Sequence, residues 1–256
     1  MNGAFYIGAT GLQSQQRALD VVANNIANIN TPGFKRSEVR FAELVSAPSN
    51  DDRGLAPSDS MNGMGGVAAM TSPRVFAQGE IKQTGKPLDI AINGEGFIEL
   101  SGTNGTNLLW RGGGLIVSPD GYLAAANGMA LKSTISVPLE ATSLTISREG
   151  LVSAVVAGES GIKELGQLDI VRSKDLAGMV GMGDGLYQAG DPADLVTSLP
   201  GEEGAGVFQQ GALESSNVQL SDEMVTLLLM QRAYAANAQV LQAGDQLMSI
   251  ANGLRR

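Results

Sequence analysis

Phe5, Leu12, Leu19 and Ile26 recur at intervals of seven, and Gly8, Gln15, Val22 and Ile29 form a second row three residues on. Apolar positions so spaced lie along one side of a helix and make a seam that must be covered. The row ends where Thr31 precedes Pro32, because a residue before proline is pushed out of the α region, and Gly33 then permits a sharp exit. The spacing predicts a helix of about 28 residues, roughly 42 Å long at about 1.5 Å per residue. A helix of that length needs partners.

The other end of the chain has the same character. Ser221 is a good N-cap, Asp222 and Glu223 fall in the first turn where the helix dipole favours anions, and Leu220 can staple onto Val225. Leu227, Tyr234, Leu241 and Met248 again recur every seven residues, and Met224, Leu228, Met230, Ala235 and Ala238 widen the stripe towards a stop near Asn252 and Gly253. Two arrangements satisfy this pattern: helices that find their covering in other copies, or an ordinary two-helix cap on a β domain.

Between the ends the pattern changes. Val39, Phe41 and Leu44 alternate with Glu38, Arg40 and Glu43, as in a short strand or helical turn. Residues 46–66 hold Pro48, Pro57, Asp51, Asp52 and Asp59 among glycines and serines, the composition of a long loop or extended arm. Leu88, Ile90 and Ile92 alternate with Asp89 and Ala91, Asn93 and Gly94 offer a tight turn, and Phe97 to Leu100 returns, which predicts a hairpin. Further short apolar runs around 115–117, 122–124, 135–137, 144–146, 151–156 and 168–171 predict a small antiparallel barrel or sandwich. The expected fold class is therefore α+β: long N- and C-terminal α-helices packed as a coiled-coil-like pair, with an inserted antiparallel β-rich middle domain. Its expected divisions are a helix in 1–36, a connecting arm in 37–70, the middle domain in 71–204, a return connector in 205–220 and a helix in 221–256.

Composition removes whole classes of function. The 256 residues carry a formal net charge of −9, and no lysine and arginine run interrupts that balance, which argues against a phosphate-backbone binder. There is no cysteine and no histidine, so disulfides, thiolate metal sites, the commonest general base and the usual zinc ligand are all missing. Gly94, Glu95 and Gly96 could open a dinucleotide fingerprint, but the third glycine would fall at Glu99 and no helix follows, so they read as a turn. Gly181, Gly183 and Gly185 lack the Gly-Lys-Ser/Thr ending of a phosphate cradle and read as a hinge or turn. Asp184, Asp191, Asp194, Glu202 and Glu203 lack the alternating ligands of a calcium loop and read as a solvated acidic loop. No enzyme, cofactor or metal site is expected. Trp110, the only tryptophan, is expected in the middle-domain core or at an interface. No apolar run approaches the eighteen or so residues that span a bilayer, and the N-terminus lacks the regions of a secretory signal, so composition alone reads as cytoplasmic.

The segment Leu19 to Arg36, LDVVANNIANINTPGFKR, resembles the N-terminal signature of the bacterial flagellar rod and hook proteins. Gly211 to Asn237, GALESSNVQLSDEMVTLLLMQRAYAAN, is similar to the family's C-terminal signature, and Gln78 to Phe97, QGEIKQTGKPLDIAINGEGF, to the segment that opens its middle domain. Within the family, the length and the stretch Val45 to Met70 resemble the distal-rod group most, the long proximal rod protein being the nearest rival. Where many of that group show a Tyr-Thr-Arg type motif, this chain has Leu109, Trp110, Arg111.

The resemblance implies a structural subunit that self-assembles helically into a hollow drive shaft carrying torque from motor to hook. Its implied partners are other copies of itself, proximal rod proteins, the hook protein, surrounding periplasmic and outer-membrane ring proteins and the flagellar export apparatus, with no nucleic acid and no membrane insertion. It implies a place in the basal body, crossing the periplasm, reached through flagellar export without a cleaved signal peptide. The expected subunit-packing residues are Phe5, Leu12, Leu19, Val22, Asn24, Asn25, Ile26, Asn28, Ile29, Phe34, Asn217, Leu227, Gln231, Arg232, Tyr234, Leu241 and Met248. Asn24, Asn25, Asn28 and Asn30 can be a polar face that ends the helix, or amides that bond neighbouring subunits, the reading the resemblance favours. A reading from another class is a soluble β-domain binding module whose terminal helices pair within the molecule.

Overall fold

The computed structural model describes residues 2–44, 66–102, 106–157 and 161–253. Among them are two α-helices, α1 (Asn2–Ala27) and α2 (Leu220–Gly253), and every strand lies between them in sequence. The chain separates into two compact units, one of residues 1–26, 37–72 and 219–256, the other of residues 27–36 and 73–218. The arm expected at 46–66 lies outside the described residues apart from Gly66.

The first unit combines the helices with an antiparallel ribbon of Val39–Leu44 and Gly66–Thr71, in which Val39 faces Thr71 and Leu44 faces Gly66. The buried stripe of α1 is Ser14, Ala18, Val22 and Asn25, at steps of four, four and three. Small side chains there let the ribbon backbone come close. Ser14 Oγ donates to the Val67 carbonyl at 2.8 Å and accepts from the Ala69 amide at 3.1 Å, which satisfies two strand groups with one hydroxyl. Asn25, also buried, receives the Ser37 amide on Oδ1 at 3.0 Å and donates from Nδ2 to the Ser37 carbonyl at 2.9 Å and to Glu223 Oε1 at 3.2 Å.

The expected coiled-coil-like pairing of long terminal helices is thereby corrected. A coiled coil buries bulky knobs of one helix in holes of the other. Here Leu12, Leu19 and Ile26 are only half-buried while the buried stripe consists of small or polar residues. On the described part of α2 the buried residue is Glu223, and no apolar side chain there is buried. Where α1 and α2 meet, glycine lies against a side chain: a Cβ at Gly8 would fall 2.7 Å from Leu241 Cδ2, and one at Gly11 3.1 Å from Asn237 Nδ2. Between the two helices the body of the fold is β-rich. α2 starts at Leu220, and the Ser221 hydroxyl bonds Asp222 Oδ1 instead of serving as the expected cap.

The second unit is a set of small antiparallel sheets around one main core. One four-stranded sheet runs Val207–Gln210, Asp89–Asn93, Gly112–Val117, Leu123–Ala125, and another runs Val180–Gly183, Leu186–Gln188, Asn107–Trp110, Ile98–Ser101. A three-stranded sheet (Ile162–Gln167, Leu151–Val156, Ala141–Ile146) and the pairs Ile170–Ser173 with Leu195–Ser198 and Ala212–Glu214 with Ile81–Gln83 complete it. Ile90, Ile92, Leu100, Trp110, Leu123, Val152 and Phe208 share the main core. Phe97, Leu109, Val171, Met179 and Tyr187 form a second cluster, with Phe76 packed edge-on against Phe97 and Tyr187.

The hairpin expected across Asn93 and Gly94 does not form. Asp89–Asn93 pairs with Val207–Gln210 and Gly112–Val117, while Ile98–Ser101 pairs with Asn107–Trp110 in the other sheet. The reason lies in how tightly distant parts of the chain pack around the two glycines. Gly94 and Gly96 take φ of +115° and +126°, and a Cβ would fall 2.7 Å from Gly206 Cα at the first and 2.1 Å from Ile170 Cγ2 at the second. Only glycine fits so close an approach, and it turns the chain from one sheet into the next.

Candidate functional site

The segment after α1 enters the second unit as a strap. Thr31 N–H donates to the Asn28 carbonyl at 3.1 Å and Thr31 Oγ1 contacts Asn28 Oδ1 at 3.2 Å, so the asparagine closes the turn out of the helix. Gly33 N–H then donates to the Glu214 carbonyl at 2.9 Å, the Tyr187 hydroxyl donates to the Gly33 carbonyl at 2.9 Å, and Val75 N–H donates to the Arg36 carbonyl at 2.9 Å. Asn217 receives the Arg36 amide at 2.8 Å and donates to the Val75 and Ala77 carbonyls at 2.7 and 3.0 Å. The guanidinium of Arg74 donates to the Lys35 carbonyl at 3.0 Å and lies over the rings of Phe34 and Tyr187.

At the centre of the strap Glu214 stands between two cations. Lys35 Nζ meets its Oε1 at 2.5 Å, Arg111 Nε meets its Oε2 at 2.7 Å, and Gly79 N–H adds a third bond to Oε1 at 2.8 Å. All three charged side chains are at most 4% exposed. Buried charges persist only when paired and hydrogen-bonded, and these are. Lys35 also donates to the Ala77 carbonyl at 2.9 Å, and the two terminal nitrogens of Arg111 donate to the Gly96 and Gly94 carbonyls. The glycine turn therefore presents its carbonyls to Arg111. Burial pushes the Lys35 ammonium below its ordinary pKa of 10.5; Glu214 pulls it back up and Arg111 adds to the lowering. Burial likewise pushes the Tyr187 phenol up to about 12.

The expected packing residues divide between the two units. Val22 and Asn25 are buried in the first; Leu12, Leu19, Ile26, Leu227, Leu241 and Met248 are half-buried; Asn24, Gln231, Arg232 and Tyr234 are exposed. Phe34 is buried in the second unit, where Asn28, Ile29 and Asn217 are half-buried. The side chain of Phe5 lies outside the described residues. Lys35, Arg111 and Glu214 were absent from the sequence expectation. The signal available was one opposite charge beside an apolar residue in each terminal motif, Phe34-Lys35 and Leu213-Glu214.

In the first unit α2 exposes Met224, Val225, Leu228, Leu229, Val240, Leu247 and Ile250, with Leu229 at 59% and Leu247 at 66%. Large apolar side chains concentrated on one helix mark a surface made to be covered. Trp110 is buried in the main core, residues 183–185 turn between two strands, and Asp191 caps a short 3₁₀ turn by accepting the Ala193 amide. Among the described residues no group of three or more acidic side chains is placed to hold a metal ion, and no helix is long and apolar enough to cross a membrane.

A buried, hydrogen-bonded charge cluster and a helix with exposed large apolar side chains are the features expected of a structural subunit. Three family models match the chain: the flagella basal body rod protein over residues 5–35, the flagellar hook protein FlgE/F/G D1 domain over residues 91–154, and the flagellar basal body rod FlgEFG protein C-terminal over residues 209–254. The chain is 34% identical to the flagellar basal-body rod protein FlgG of Borreliella burgdorferi, with all of both chains covered. It is 34% identical to FlgG of Agrobacterium fabrum over 96% of this chain and 97% of that one, and 31% identical to FlgF of Caulobacter vibrioides over 96% and 95%. The chain belongs to the flagellar basal-body rod protein family. It is a structural subunit of the basal-body rod, of the distal-rod kind, in a family of structural proteins that assemble into the rod with other flagellar components.

Proposed function

We propose that copies of this chain stack helically into a hollow shaft that carries torque from the motor towards the hook. The observation that carries this reading is the row of exposed apolar side chains along α2, from Met224 to Ile250. A Leu or Ile fully removed from water contributes about 1.5–3 kcal/mol, a gain that only a neighbour can supply to a side chain left exposed in the monomer. Leu12, Leu19, Leu227, Leu241 and Met248 extend that surface as half-covered positions, and Asn24, Gln231, Arg232 and Tyr234 supply exposed polar groups for its rim.

Proximal rod proteins below, the hook protein above and ring proteins around the shaft are the neighbours this position requires, and the flagellar export apparatus is the route to it. A strain lacking the chain tests the position. Basal bodies should carry a rod that ends before the hook, and re-expression of the chain should restore full length. A rod of normal length in the deletion strain would refute the reading, whereas loss of the entire rod would move the subunit to the proximal end.

A further inference from the structure

We propose that a cavity in the β unit, beside the Lys35–Glu214–Arg111 cluster, is a receiving site for a carboxylate, and that its occupant is an acidic side chain of another copy of this chain. The cavity measures about 260 Å³, room for one side chain. Lys35, Arg111 and Arg172 all line it, with Phe76, Phe97 and Leu176 as apolar wall. Lys35 and Arg111 share the single carboxylate of Glu214, so that buried cluster keeps one uncompensated positive charge. Arg172 adds another: it has no ion pair among the described residues, and its Nε is buried with no hydrogen-bond partner. The acid in the lining, Glu95, is exposed to water. Three cations against two carboxylates leave the lining net positive, and the apolar wall lowers the local dielectric, which strengthens its attraction for an anion.

The remaining surface has the opposite sign. With 26 acidic and 17 basic residues the chain has more carboxylates than cations to pair them, and Asp191, Glu202 and Glu203 are exposed on the β unit. In a polymer of identical copies each net-positive cavity meets a surface rich in unmatched acids. Charge complementarity of this kind sets register more than bulk affinity. This occupant rests on the helical-assembly reading above.

The test uses the full chain and two probes. Sodium propionate, which carries the end of a glutamate side chain, is titrated into monomer against sodium chloride at equal ionic strength, and the amide resonances of Gly94, Gly96 and Phe97 are followed. Separately, the critical concentration for polymerisation is measured for wild type, Arg172→Gln and Arg172→Lys. Saturable propionate shifts that vanish in Arg172→Gln, with a critical concentration raised about three- to tenfold and partly restored by Arg172→Lys, support the proposal. Absence of saturable shifts in wild type overturns the carboxylate site. Saturable shifts with unchanged assembly of Arg172→Gln overturn the neighbouring copy as occupant and assign the site to a free carboxylate. A wild-type chain that binds propionate but never polymerises refutes the assembly reading itself, and the occupant with it.

Discussion

The two units bury different things. In the β unit the packed clusters are apolar, with Ile90, Ile92, Leu100 and Leu109 inaccessible to water, and the Lys35–Glu214–Arg111 charges are enclosed and hydrogen-bonded. In the helical unit the enclosed positions among the described residues are Ser14, Ala18, Val22, Asn25, Ala69, Ser72 and Glu223, while leucines, valines and methionines of α2 remain in solvent. The β unit encloses a continuous apolar core, although it too leaves Leu139 and Ile162 in solvent, whereas the described part of α2 buries no apolar side chain. On the proposed assembly, an exposed apolar residue of α2 has its full effect between copies, whereas a core residue of the β unit acts on folding.

The largest test of that contrast is Glu214→Ala. It leaves Lys35 and Arg111 buried together without their carboxylate, and losing one partner of a buried ion cluster costs about 3–5 kcal/mol. Chemical denaturation of the β unit should show that loss, with the strap amides of Gly33 and Arg36 exchanging faster; an unchanged midpoint would contradict the enclosed cluster. Next is Ser14→Ala in the helical unit. It strands the Val67 carbonyl and the Ala69 amide at a cost of about 1–3 kcal/mol, read as faster exchange at Ala69.

Tyr187→Phe should cost about 0.5–1.5 kcal/mol through the lost bond to the Gly33 carbonyl, and it also carries a pH signature. The folded phenol is raised from 10.0 to about 12, so its contribution is complete below pH 10 and is lost as pH climbs from 10 towards 12. Lys35 has the opposite sign. Its folded pKa is lowered, so the unfolded chain binds more protons between that value and 10.5, and stability rises with pH across that interval. The stability of wild type should therefore fall above pH 10 in denaturation experiments, and Tyr187→Phe should remove the decline. The smallest effect on folding belongs to Leu229→Ser: monomer stability should stay within about 0.5 kcal/mol while polymer yield falls. A large loss of monomer stability would show that α2 is already covered within its own molecule and would erase the contrast.

Several parts of this arrangement can be read along the chain. Apolar recurrence near the helical period marks a helix at either end, and alternation in 88–92 marks a strand. The covering of those helices cannot be read the same way. The seven-residue rows pick out the bulkiest side chains, but the enclosed stripe of α1 follows Ser14, Ala18 and Val22, because a ribbon backbone packs closest where side chains are smallest. The Asn93-Gly94 pair misleads for a related reason. Its chemistry suits a tight hairpin, yet Arg111, distant in sequence, takes the Gly94 and Gly96 carbonyls and the chain passes into another sheet. Asn25 shows the same limit: its amide is taken up by Ser37 and by Glu223, 198 positions away.

By itself the sequence determined where the helices and many of the strands lie, which chemistries are missing for want of histidine and cysteine, and, through its two terminal motifs, the family. The tertiary structure alone decided that Lys35 and Glu214, 179 positions apart, and Arg111, 103 positions from that glutamate, share one enclosed site. Periodicity reports which face of its own element a residue occupies, a property of near neighbours. The partner of a buried charge is set by where the chain returns in space, and desolvation makes that choice binding, because a charge removed from water must be matched wherever the fold brings its match.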